Sequence, residues 1–192
     1  MKSNFRRSIR RPGPRKLLRW QVALHEAGHA VAYSQLCGTW AAAYAWTSGG
    51  GLCTHGVGSR DLFSHAVAVA AGDVAGHMAL WVPPPKGRYH RIRGPRPQTM
   101  RMLPDREVVK QIIGFMPPAA TPKISADEVE DAAIKFVREH TFEIIALAEK
   151  VYLRGRAFLP APSQQHTAAS VSSTEEFTVA ASAAKGSTHV IG

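Results

Sequence analysis

Cysteine is nearly absent, with Cys37 and Cys53 the only two among 192 residues. Their spacing fits neither a paired-cysteine zinc knuckle nor a thioredoxin-like motif, so both are expected as reduced thiols in a cytoplasmic protein. Long apolar runs are lacking too. The longest, Ala66 to Val82, is rich in alanine and interrupted by Asp73 and His77, which falls short of a spanning helix, and no membrane anchor is expected. No glycine-rich loop followed by Lys-Ser or Lys-Thr occurs, which excludes a P-loop nucleotide site. Acidic residues are missing from the start: none precedes Glu26, whereas Lys2, Arg6, Arg7, Arg10, Arg11, Arg15, Lys16 and Arg19 all do. That charge lacks the apolar stretch a secretory signal needs; an organelle transit peptide ranks second, because Pro12 and Pro14 interrupt an amphipathic helix.

What is present is enough for one core. A hydrophobic content of 45% over this length supports one catalytic-size domain with tails. The net charge of +10 is concentrated in the N-terminal arm and in a second run, Lys86, Arg88, Arg91, Arg93, Arg96 and Arg101. Both can attract a polyanion or an acidic partner through fields that weaken with salt, although a solvated basic arm and loop explains them equally simply.

The chain divides into a flexible basic arm over 1–16, a folded domain over 17–158, and a disordered tail over 159–192 dominated by Ala, Ser and Thr. Within the domain, Leu18, Val22, Leu24, Val31 and Leu36 fit a helix from Leu17 to Cys37 capped by Gly38. Trp40 to Thr47 and Leu52 to Val57, separated by Gly49, Gly50 and Gly51, read as a β-hairpin. Asp61 can cap a buried helix from Leu62 to Val82, ended by Pro83, Pro84 and Pro85. A short helix is expected over Asp105 to Met116. A last amphipathic helix, capped by the Ser125–Glu128 box, carries apolar positions from Val129 to about Leu153. The expected fold is mainly α (α+β), with a small hairpin after the first helix.

The chemistry sits on that first helix. In His25-Glu26-Ala27-Gly28-His29 the two imidazoles lie four residues apart, so a helix puts both on one face, where they can share one zinc ion. Glu26 points to another part of the turn, where it can act as general base towards a water on the ion. Gly28 costs about 1 kcal/mol against alanine inside a helix, so its presence implies close approach of another backbone. The motif does not continue as a metzincin, because Gln35 stands at the third-histidine position and Ala32 at the glycine position. Asp73 and His77, four apart, compete for a ligand role, against the simpler reading of a satisfied polar pair.

The wider stretch Val22-Ala23-Leu24-His25-Glu26-Ala27-Gly28-His29-Ala30-Val31 closely resembles the start of the peptidase domain of the FtsH family of ATP-dependent zinc proteases. The resemblance covers about residues 18 to 158, and is strongest around Val22 to Val31. It implies Asp105 as third metal ligand and the Val129–Leu153 segment as the closing helical part, although an N-terminal helix cap would explain Asp105 as well. It also implies a zinc metalloendopeptidase acting on peptides or unfolded protein segments, ATP-independent in this chain because the family's AAA module has no counterpart here. Where the family carries an acidic pair after its glycines, this chain has Gly72-Asp73-Val74-Ala75-Gly76-His77. The alternative reading is a nucleic-acid or partner-binding regulatory protein in which the zinc helix is structural or vestigial and the basic segments do the work.

Overall fold

In the computed structural model, residues 13–47, 49–58, 61–87, 104–115 and 124–162 are described. Most of the basic arm, the 88–101 part of the basic loop and the tail beyond residue 162 lie outside them. Among the described residues the fold is mainly helical, with five α-helices and a small three-stranded antiparallel sheet. No described helix is long and apolar enough to cross a membrane.

Helix α1, Pro14–Cys37, begins earlier than its periodicity implies, because proline at its first position loses no helical hydrogen bond there and presets the backbone. It ends at Gly38, whose φ of 64° is left-handed and whose N–H returns to the Tyr33 carbonyl. Trp20 and Leu24 are wholly buried along it. The Trp20 indole donates to the Val82 carbonyl at 2.7 Å and meets the Tyr152 ring edge-on at 5.7 Å. These contacts make α1 the central element, with α2 and α5 packed on it and the sheet covering it.

Strands β1, Ala41–Ala45, and β2, Gly51–His55, form the expected hairpin, pairing from Ala41 with His55 to Ala45 with Gly51. The turn needs Gly49, whose φ is 89° and whose N–H bonds the Trp46 carbonyl at 3.2 Å. A third strand, β3, Arg156–Leu159, was not expected; it pairs with the other side of β1, Leu159 opposite Ala41. The folded unit therefore extends past the boundary at 158, and β2 is left as an edge strand.

Helix α2, Leu62–His77, starts at Asp61, whose carboxylate accepts from the N–H groups of Phe63 and Ser64, each at 3.1 Å. It gives way to a 3-10 turn, Met78–Leu80, before the three prolines are reached. Helix α3, Asp105–Gly114, packs on α2.

The expected last helix is two: α4, Ala126–Glu139, and α5, Thr141–Arg154. The capping box is present, with Glu128 N–H donating to Ser125 Oγ at 3.2 Å and Ser125 N–H to Glu128 Oε2 at 2.7 Å. At the break the Thr141 hydroxyl donates back to the Val137 carbonyl at 2.8 Å. The two halves serve different partners: α4 buries Val129, Phe136 and Val137 and packs on α2, whereas α5 buries Ile144, Leu147 and Val151 and packs on α1.

Candidate metal centre

The α1–α2 contact determines where His29 sits. A Cβ on Gly28 would lie 2.6 Å from both the Ala71 carbonyl oxygen and the Ala75 Cβ, so the two backbones touch at a point only glycine permits. This is the close approach that Gly28 implied. One residue on, His29 Nδ1 lies 3.0 Å from the Ala68 carbonyl oxygen of α2. A carbonyl only accepts, so Nδ1 carries a proton and Nε2 is turned the other way. Gly72 lies against the imidazole itself, and a Cβ there would collide with its ring atoms.

His29 Nε2 lies 3.1 Å from His25 Nε2 and 3.1 Å from Asp105 Oδ2, and the third side, His25 Nε2 to Asp105 Oδ2, is 3.3 Å. Asp105 comes from the first residue of α3, so two elements far apart in the chain converge on one point. Among the described residues these three make the one His/Cys/Asp/Glu group with metal-compatible geometry. The residues fit a zinc ion on two counts. Tetrahedral bonds of about 2.0 Å place donors about 3.3 Å apart, close to all three sides of this triangle. Asp105 Oδ2 is buried without a satisfactory hydrogen bond from the protein, and a single proton can bridge one side of the triangle at a time, whereas a cation serves all three atoms. Two imidazoles and a carboxylate are a donor set that could hold one metal ion.

The protein charges alone show how tightly these groups interact. Burial, then the neighbouring His29, pushes His25 down to about 4. Burial would lower His29 as well, but Asp105 and Glu26 outweigh it and hold it up at about 9. Asp105 is kept below the usual carboxylate range, against its own burial, by His29 and His25.

Asp73 and His77 do not join the triangle. Asp73 Oδ1 stands 3.6 Å from His25 Nδ1, on the far side of that ring, where a carboxylate orients the imidazole without binding the ion. His77 is exposed and lines a cavity of about 290 Å³ on the same side, together with Gln21, Val22 and Asp73.

Glu26 is buried to 7% exposure, and Gly51 at the start of β2 packs directly on its side chain. Burial is the main reason its carboxyl is pushed up to about 7, with His29 opposing and Asp105 adding to the rise. It lines both the larger cavity and a second one of about 230 Å³, whose further walls are His29, Tyr33, Cys53 and His55. The two cavities share His25, Glu26 and Gly51 as lining residues, so Glu26 and His25 stand where they meet. Tyr33, His55 and His65 were not singled out from the sequence. Tyr33 stacks on His55 at 3.7 Å between ring centres, and His65 meets it edge-on at 5.2 Å. The spacing of Tyr33, four residues after His29, was the available signal.

No protein-family model, curated protein or solved structure matches this chain.

Proposed function

We propose that the chain is an FtsH-type zinc metalloendopeptidase domain that hydrolyses peptide bonds in peptides or unfolded protein segments without ATP. The observation that carries this reading is the convergence of His25, His29 and Asp105 at sides of 3.1 to 3.3 Å, with the buried Glu26 carboxyl in the same cleft. His25, His29 and Asp105 would hold the ion. Zinc supplies Lewis acidity when bound, polarising a substrate carbonyl and acidifying water.

The remaining work belongs to the chain. Glu26, immediately after one ligand and before the next turn brings the other, takes the proton of the attacking water and returns it to the leaving amine. Gly51 packs against its side chain and leaves the carboxyl at the junction of the two cavities, where a water can reach it. The cavities that meet there leave space for a chain on both sides of the scissile bond, as an endopeptidase requires. A substrate chain must be extended to enter such a cleft, which favours peptides and unfolded segments over folded proteins.

The test is zinc-loaded protein incubated with casein, with and without a chelator, beside Glu26→Gln. The expected result is cleavage by the wild type, lost with chelator, and at least a ~10²-fold slower reaction for Glu26→Gln with zinc content unchanged. Equal cleavage in all samples, or none with zinc fully loaded, would sink the reading.

A further inference from the structure

Tyr33 lies one helical turn beyond His29 and two beyond His25, so all three side chains share one stripe of α1. Side chains on a helix lean towards its N-terminus, which carries the Tyr33 ring back over the turn that bears His29. The ring is clamped there. His55 of β2 stacks on it with planes 16° apart, and His65 of the first turn of α2 meets it edge-on. His55 is itself steadied by its Nδ1, which donates to the Gly56 carbonyl at 2.9 Å.

Tyr33 is 6% exposed, and it lines the same cavity as Glu26 and His29. Its hydroxyl is not one of the buried side-chain atoms that lack a hydrogen-bond partner. The ring is buried, but the hydroxyl itself lies on the open side of that cavity. Here the ring is held by three elements while the hydroxyl is left for something that enters the cleft.

We propose that Tyr33 is a catalytic residue of the peptidase reaction, donating a hydrogen bond to the oxyanion that develops on the scissile carbonyl. This rests on the peptidase reading above. As the water oxygen bonds to the carbonyl carbon, the π pair moves onto the carbonyl oxygen and Glu26 takes the water proton. The Tyr33 O–H donates to that oxygen and keeps its own proton. Burial, reinforced by Cys53, Cys37 and Asp105, holds the phenol above its ordinary range, so it remains a donor at neutral pH. The pair then returns, the C–N bond breaks, and the proton on Glu26 goes to the amine, leaving a carboxylic acid and an amine. The hydrogen bond is strongest when the oxygen carries full charge, which is the condition for lowering the barrier rather than merely binding substrate.

Tyr33→Phe keeps the ring and both of its ring contacts and removes only the hydroxyl. The experiment compares zinc-loaded wild type and Tyr33→Phe for kcat and KM on a fluorogenic casein. Zinc affinity is measured alongside, and calorimetry gives affinity for a phosphonate peptide, whose charged oxygens mimic the oxyanion, and for its plain peptide counterpart. Expected are a kcat lower by about 10²-fold and phosphonate binding weakened by a similar factor, with KM, zinc affinity and plain-peptide affinity unchanged. Wild-type kcat and equal phosphonate affinity in the variant overturn the proposal. So does a loss carried by KM and plain-peptide affinity, which would mark a packing role. If the wild type shows no zinc-dependent cleavage, the peptidase reading fails by itself. Calorimetry still judges Tyr33, since equal phosphonate affinities, or no binding to either protein, overturn its role.

Discussion

Gly72→Ala sets helix stability against metal affinity. Gly72 stands in the interior of α2, where alanine is preferred by about 1 kcal/mol. An added Cβ, however, would overlap the Cε1, Nε2 and Cδ2 atoms of the His29 imidazole. The ring cannot slide aside freely, because its Nδ1 is tied to the Ala68 carbonyl one turn earlier on the same helix, at 3.0 Å. It must swing out, breaking that bond and taking Nε2 out of the triangle, or α2 must move off α1. Overpacking of this kind costs about 1–3 kcal/mol, so fold stability should change by no more than about 2 kcal/mol after the propensity gain. Metal affinity should change far more. Four-ligand structural zinc sites bind with about 10–16 kcal/mol, or roughly 2.5–4 kcal/mol per ligand. Losing His29 should therefore weaken zinc by about 10²- to 10³-fold, at 1.4 kcal/mol per tenfold. Competition with a chromophoric chelator measures this, and urea unfolding of metal-free protein measures the stability. Zinc affinity within about threefold of wild type, in a protein that still folds, would refute the placement of His29 against Gly72.

Gly28→Ala should destabilise by up to about 2 kcal/mol despite its better helix propensity, because the new Cβ meets the rigid Ala71 carbonyl and Ala75 Cβ at 2.6 Å. Thermal unfolding would show a lower midpoint, and a stabilised variant would contradict the close α1–α2 approach. Asp61 is held below its unfolded value of 3.8, chiefly by Ser64, so its contribution to folding is present above that value and fades as pH falls through the lower folded one. Asp61→Asn keeps a capping oxygen but cannot titrate. Its melting point should lie below that of wild type near neutrality and converge on it as pH falls below 3.8 and through the lower folded value, and a gap unchanged by pH would count against the carboxylate cap.

The local signals were those that a few adjacent residues can carry. Asp61 and the Ser125–Glu128 box act on backbone N–H groups two or three residues away, and the glycines of the hairpin act on their own turn, so each could be read directly. The His25–His29 pair is local in the same sense. Asp105 was different: nothing in its neighbourhood distinguishes a ligand from a helix cap, and only the family resemblance pointed to it. The break at His140 left no trace, because the apolar period continues in phase through it, from Phe136 and Val137 to Ile144 and Leu147. What separates α4 from α5 is that they pack on different helices, a long-range fact. Strand β3 was hidden for the same reason, since four residues gain strand character only by pairing with β1. The roles of Gly51 and Gly72 against Glu26 and His29 depend on contacts between elements that no single stretch contains.

The joint between α1 and α2 has a consequence for motion. Where the helices meet near the triad, the contacting groups are Gly28 with Ala71 and Ala75, Gly72 with His29, and Gly76 with His25. Glycine and alanine have no side-chain rotamers to freeze on folding and none to exchange afterwards. The bearing of His29 is thus set by main chain against main chain, and the ring's Nδ1 is anchored to a main-chain carbonyl as well. A site framed in this way has few side-chain degrees of freedom through which its geometry could drift, and it reaches that state at little entropic cost.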